Sequence, residues 1–215
     1  MKKLFCLLFQ VSLIFALEIK EYPILSEERL ELTKAYSRRH YDMDTYFLHQ
    51  PKAIVIHSTG IGTLNYSLQA FKSPRVLSSR YRLATFGLLN VGCHFVVGKN
   101  GETYSLLPTT IMGRHVVGYN HVAIGIENVA AETVNLTDTQ IYKNAEIVAM
   151  LLQKHPSIEY LFGHHEYMMR NYPHFSLRLA KDESYVPPIK IDPGFSFMEK
   201  LRRHLKSQYG IVLKK

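Results

Sequence analysis

A chain of 215 residues with 47% hydrophobic and 20% charged side chains has apolar mass for one domain with short extensions, or at most two small ones. Those fractions, with no internal repeat and no low-complexity tract, exclude a disordered, collagen-like or solenoid protein. The formal charge of +8 suits acidic polymers, but no run of five or more Lys/Arg and no aromatic-interleaved basic stripe occurs, so nucleic acid is not an expected partner.

The chain opens on Met1, Lys2 and Lys3, followed by an apolar run from Leu4 to Ala16 broken only by Gln10 and Ser12. A basic start, a run of this length and a small residue at its end fit a secretory signal peptide over residues 1–16. The run is too short to span a bilayer, which takes ~20 apolar residues, and Cys6 lies near its start rather than after it, against a lipid anchor. Export is expected, with a Gram-negative periplasm as the destination and no stable membrane anchor after cleavage. Removing Lys2 and Lys3 would take the formal charge from +8 to +6 and leave Cys93 as the one cysteine, so stability must come from the core and not from a disulfide.

Residues 17–50 read as an N-terminal extension, with a helix over Ser26–Arg38 that Ser26 starts. Lys52–His57 reads as a buried strand stopping at its histidine. His94–Gly98 and Glu102–Leu107 form a pair joined by Lys99, Asn100 and Gly101, and Asn-Gly between apolar runs signals a hairpin. Val122–Glu127 is a further buried strand, ending in a carboxylate. Thr137 and Gln140 have capping-box spacing and open a helix to about Lys154, with Ile141, Ala145, Val148, Leu151 and Leu152 as its apolar stripe. Tyr160–His164 is another strand that ends at a histidine. A loop rich in His, Tyr and Pro, Tyr167–Ile189, precedes Lys190, Ile191, Asp192, Pro193 and Gly194, and Phe197–Lys206 closes the chain as a helix. The whole is expected to be an α/β fold: a single domain, residues 51–207, with a central mixed β-sheet flanked by helices and a short tail over 208–215.

Eleven histidines is a high count. His57 and His164 stand out because each ends an apolar strand, where ligands gather in open sheets, and Asp192 sits in a turn set by Pro193 and Gly194. Two imidazoles and a carboxylate suit a catalytic Zn²⁺ with its fourth position open to water. Spacing alone does not select this triple from others, since the three are scattered over more than a hundred residues.

Five segments occur in order: His57-Ser-Thr-Gly; Gly92-Cys-His-Phe-Val-Val-Gly-Lys-Asn-Gly; Gly113-Arg-His-Val-Val-Gly-Tyr-Asn-His-Val-Ala-Ile-Gly-Ile-Glu127; Gly163-His-His-Glu; and Lys190-Ile-Asp-Pro-Gly. Together they resemble the type-2 N-acetylmuramoyl-L-alanine amidase family, the T7-lysozyme-like group that includes anhydro-muropeptide amidases and peptidoglycan recognition proteins. The resemblance covers about residues 50–205. It implies a zinc hydrolase acting on peptidoglycan or muropeptides, with His57, His164 and Asp192 as zinc ligands, Lys190 stabilising the oxyanion and Glu127 as acid-base carboxylate. By the same resemblance His94, His115 and Asn120 touch substrate or support the ligands. Cys93 stands where the phage enzyme has tyrosine, which leaves Glu127 as the better proton carrier, and Ser58 replaces a second histidine. Alternatives are a non-catalytic peptidoglycan-binding protein, which would have lost a ligand, and a zinc peptidase of other specificity. His94 could equally be a satisfied core residue, Glu127 a carboxylate paired with an arginine, and Lys190 a surface lysine. His165 is expected to face away from the metal by strand alternation, and the 167–189 loop is either a substrate flap or an insertion.

Overall fold

The computed structural model describes residues 17–182, 184–185 and 188–215; the expected signal segment, residues 1–16, lies outside them. Among the described residues no helix is long and apolar enough to cross a membrane. The strands are β1 (Ile19–Glu21), β2 (Ala53–Ser58), β3 (Phe95–Val97), β4 (Thr103–Ser105), β5 (Ala123–Asn128) and β6 (Tyr160–Gly163). The helices are α1 (Glu27–Tyr41), α2 (Leu64–Lys72), α3 (Tyr81–Ala84), α4 (Asp138–Lys154) and α5 (Phe195–His204). The strands form one mixed sheet in the order β1-β4-β3-β5-β2-β6, the α/β architecture expected from the sequence.

Local chemistry sets the element ends. The Ser26 hydroxyl accepts a hydrogen bond from the Arg29 N–H and starts α1. At α4 both halves of the capping box form, Thr137 accepting from the Gln140 N–H and Gln140 accepting from the Thr137 N–H, which satisfies two donors that helix geometry leaves orphaned. Between β3 and β4 the chain reverses through Gly101 at φ 92°, a left-handed conformation that favours glycine.

The period-2 alternation of the central strands divides the core. Ile54, Ile56, Ile124 and Ile126 face α4 and α5, packing with Ile141, Ala145, Val148, Leu151, Met198 and Leu201. Ala53, Val55, Ala123 and Phe162 pack on the other face with Val116, Tyr119 and Tyr167. His57 and Glu127 continue the second set, on the face away from α4 and α5. β2, β3, β5 and β6 are mutually parallel, so their C-terminal ends share one edge of the sheet.

Three features depart from the sequence expectation. Ile19–Glu21 adds a strand at the sheet edge, parallel to β4, although Ile-Lys-Glu is too short and polar to signal one. α2 and α3 occupy a stretch whose pattern does not announce them. β6 stops at Gly163, and His164–Glu166 is a tight helical turn because the buried Glu166 carboxylate accepts the Gly163 N–H at 2.8 Å. The described part of the 167–189 loop packs against the body of the domain. Its Leu179 and Lys181 N–H groups donate to the carbonyls of Gly118 and His40, and Tyr185 stacks on Phe86 at 4.0 Å.

Candidate metal centre and cleft

Three donor atoms converge where β2 and β6 end. His57 Nδ1 lies 3.0 Å from His164 Nδ1, His164 Nδ1 lies 3.2 Å from Asp192 Oδ2, and His57 Nδ1 lies 3.8 Å from the same oxygen. Tetrahedral zinc with bonds of ~2.0–2.1 Å sets neighbouring ligands about 3.3 Å apart, so the set has the dimensions of a zinc site. Two contacts draw in the Asp192 segment: the Ser58 N–H donates to Asp192 Oδ2 at 3.2 Å, and the His165 N–H donates to the Asp192 carbonyl at 2.7 Å. The His165 ring packs against Phe195. It is outside the triad as expected, but a turn places it there and not strand alternation.

The charge states suit a cation. Burial, reinforced by His164, His115 and Lys190, holds the His57 pKa well below the ordinary imidazole value. Burial also lowers His164, despite the opposing pull of Asp192. Burial pushes the Asp192 carboxyl up, but the hydrogen bond and charge of His164, the Ser58 N–H and Lys190 outweigh it, and the group stays below the usual carboxylate value. Two imidazoles held below their ordinary value and a carboxylate facing one point could give up the proton they share and turn lone pairs to a divalent ion.

His115 fixes which nitrogen of His57 faces that point. The Ala123 carbonyl, which can only accept, lies 3.2 Å from His115 Nε2, so the neutral His115 ring carries its proton there. His115 Nδ1 is then an acceptor, and 3.0 Å away it takes the proton of His57 Nε2, which leaves His57 Nδ1 bare toward His164 and Asp192. The His115 ring lies over Gly125 of β5, where a Cβ would come within 2.7 Å of it. Glycine is required for that close approach. A lone glycine between two isoleucines was the sequence signal for this cradle.

Asn120 and His94 hold backbone. Asn120 Oδ1 accepts from the N–H groups of His115 and Val116 at 2.9 and 2.8 Å, and its side chain is buried away from the cleft. His94, fully buried, donates from Nε2 to the Ile111 carbonyl at 2.9 Å and accepts the Gly125 N–H at 3.0 Å. Both ring nitrogens are spent, so His94 is the satisfied core residue of the two readings, one step behind His115.

Glu127 stands beside the metal ligands by strand register: His57 and Glu127 are paired residues of adjacent parallel strands, so their side chains leave the same face. Its Oε2 is buried without a hydrogen-bond partner, and no arginine pairs with it. Burial and the Asp192 charge raise the Glu127 pKa to about 8 against the opposing charges of Lys190 and Arg80. A cleft of about 430 Å³ opens over this group, lined by His115, Glu127, His164, Lys190 and Asp192 at its base and by Thr59, Ile61, Phe71, Leu77 and Arg80 on its walls. Lys190 is thus at the site and not on the open surface. Arg80, which no sequence motif singles out, brings a further cation.

Fold and side chains together define an α/β protein whose cleft gathers two imidazoles and two carboxylates at one end of a mixed sheet. The sequence profile of the family described as N-acetylmuramoyl-L-alanine amidase (Amidase_2) matches residues 48–194, and the chain belongs to that family. The endolysin of Escherichia phage T7 is 30% identical over 98 residues, 43% of this chain and 64% of the phage protein. The endolysin of Enterobacteria phage T3 is 29% identical with the same coverage, so the match spans less than two thirds of either phage protein. Among solved structures, the selenomethionine derivative of AmpD aligns with a TM-score of 0.54 at 19% identity, over 88% of this chain and 95% of that one, a likeness of fold.

Proposed function

We propose that the protein is a zinc-dependent N-acetylmuramoyl-L-alanine amidase, hydrolysing the amide between the lactyl group of N-acetylmuramic acid and the L-alanine of peptidoglycan stem peptides. The observation that carries this reading is the convergence of His57, His164 and Asp192 beside an unpartnered Glu127 carboxylate. Zinc held by the triad would lower the pKa of a water from about 15.7 towards ~7 and polarise the amide carbonyl. Glu127 takes the proton that the attacking water gives up and delivers it to the departing amine nitrogen, general acid-base work that needs a group titrating near neutrality. A dication close by would bring its raised pKa back toward that range. Lys190 faces the charge that develops on the carbonyl oxygen, where a fixed cation is most effective. Arg80 and Lys190 give the cleft a cationic rim suited to a peptide bearing free carboxylates.

The basic-apolar start over residues 1–16 supports an exported protein acting in the periplasm on peptidoglycan or its fragments. The test is mass spectrometry of purified muropeptides incubated with residues 17–215, with and without a chelator. Free stem peptides and peptide-free sugars, lost on chelation and restored by zinc, are the expected products. Muropeptides left intact under zinc-replete conditions would turn the reading to a peptidoglycan-binding protein without turnover.

A further inference from the structure

The family match begins at residue 48, yet a hydrogen-bond chain from the metal ligands leads out of that region into α1. His57 Nε2 donates to His115 Nδ1 at 3.0 Å. The His115 N–H donates to Asn120 Oδ1 at 2.9 Å. Asn120 Nδ2 then donates to the Tyr36 hydroxyl oxygen at 3.2 Å. The outer end of this chain is poor in water: Tyr36 is 3% exposed and Asn120 1%. Burial pushes the Tyr36 pKa up to about 12, so the hydroxyl keeps its proton, and Arg114 lies over its ring at 5.0 Å.

Asn120 must orient its amide correctly for this to work. Its Oδ1 faces two backbone N–H groups, so its Nδ2 must find an acceptor on the other side. In a buried position an amide donor without an acceptor costs its full desolvation, and the Tyr36 oxygen is the acceptor the structure supplies. Without it, the buried amide donor is left unpaired, and Asn120 gains by shifting toward another acceptor. The His115 backbone then loses its anchor, and with it the ring that selects the bare nitrogen of His57.

We propose that α1 is a working part of the metal site, with Tyr36 a positioning residue that holds His57 Nδ1 toward the metal through Asn120 and His115. The inference rests on the zinc reading above. Partners of this outer kind typically change metal affinity ~10–100-fold, and the remote position of Tyr36 puts its effect at the low end, about tenfold.

The experiment measures zinc affinity by competition with a chromophoric chelator for the wild-type protein, Tyr36→Phe and Thr33→Val. Thr33 is the control: its hydroxyl makes a buried hydrogen bond within α1, to the Arg29 carbonyl at 2.7 Å, and has no part in the chain to His57. Tyr36→Phe is expected to bind zinc about tenfold more weakly, while Thr33→Val keeps wild-type affinity despite losing stability. Imidazole ¹⁵N spectra of the metal-free protein add a readout independent of zinc: His57 as a single Nε2–H tautomer in wild type, and a mixture in Tyr36→Phe. Wild-type affinity in Tyr36→Phe, or equal weakening in Thr33→Val, would overturn the proposal. Should Tyr36→Phe fail to fold, Asn120→Ala, which removes the relay between Tyr36 and His115, is read the same way. Failure of the wild type to bind zinc would instead remove the metal reading itself.

Discussion

Carboxylates that are buried and unpaired are expensive to keep, because burial penalises the charged form and no donor compensates it. Glu127 bears that cost beside Asp192, and among the described residues no ion pair with an arginine holds it, which leaves it free to exchange a proton. Glu127→Gln conserves shape and removes only that capacity. The variant is expected to fold, to bind zinc with wild-type stoichiometry, and to lose turnover by the ~10²–10⁴-fold typical of a general acid-base group. Steady-state rates on a soluble muropeptide check this; a variant within a few-fold of wild type would take the proton-carrying role away from Glu127. At this scale the ligand residues were visible in the sequence only through the ordered motifs. His57 and His164 could be ranked by their strand ends, but Asp192 and His164 are brought to His57 only by folding across more than a hundred residues. The resemblance placed His115 among residues that touch substrate or support the ligands, but how it acts was out of reach, since that depends on which nitrogen meets the Ala123 carbonyl and on a ring lying over Gly125.

Elements carry the ligands, and the turn bearing His164 has its own clamp. Glu166 is fully buried; Arg202 of α5 donates to both its oxygens, at 3.0 and 2.6 Å, and to the Leu161 carbonyl at 2.9 Å. One guanidinium thus ties α5, the end of β6 and the turn that follows. Burial would raise the Glu166 pKa, but the bidentate bond to Arg202 keeps it below the ordinary value. Glu166→Gln leaves Arg202 partly buried without its counter-charge. Breaking a buried pair costs about 3–5 kcal/mol; since the Arg202 side chain is 18% exposed, about 2–3 kcal/mol is expected here. Urea unfolding measures it, and a loss below about 1 kcal/mol, the worth of an ordinary hydrogen bond, would mean the clamp is not ionic. Sequence pattern located the elements with local signatures: the Thr137 capping box, the Asn-Gly hairpin, and the apolar runs of β2, β5 and β6. It missed β1, whose three residues gain their structure from pairing with β4. It also ran β6 one residue too far, because only the fold shows that Glu166 bends back to the Gly163 N–H.

Across the whole molecule, buried imidazoles set how stability depends on pH. Burial lowers His94 to about 4, His57 and His115 well below their ordinary value, and His164 to a lesser degree. Above about pH 7.5 these rings are neutral whether the chain is folded or not, and they contribute little pH dependence. As the pH falls below 6.5 the unfolded chain takes up protons that the native protein refuses, so stability declines toward pH 4. The His94 shift of ~2.5 units alone corresponds to about 3 kcal/mol. Glu127 acts with the opposite sign: native Glu127 holds a proton up to about pH 8 that the unfolded chain releases near 4.5, so its contribution falls as the pH rises. The single carboxylate is outweighed by these imidazoles below about pH 7 and acts with little opposition from there to pH 8. The metal-free protein is therefore expected to be most stable near pH 7, with a steep acid side and a shallow alkaline one. Urea midpoints from pH 4.5 to 8.5 test this, and a midpoint still climbing at pH 8 would contradict the raised pKa of Glu127. Zinc should lift the neutral part of the curve most, by RT ln(1 + [Zn]/Kd) or about 4 kcal/mol at a thousand times Kd. The lift should vanish on the acid side, where His57 and His164 must surrender the metal to bind protons. A zinc stabilisation that persisted unchanged to pH 4.5 would exclude imidazoles as its ligands.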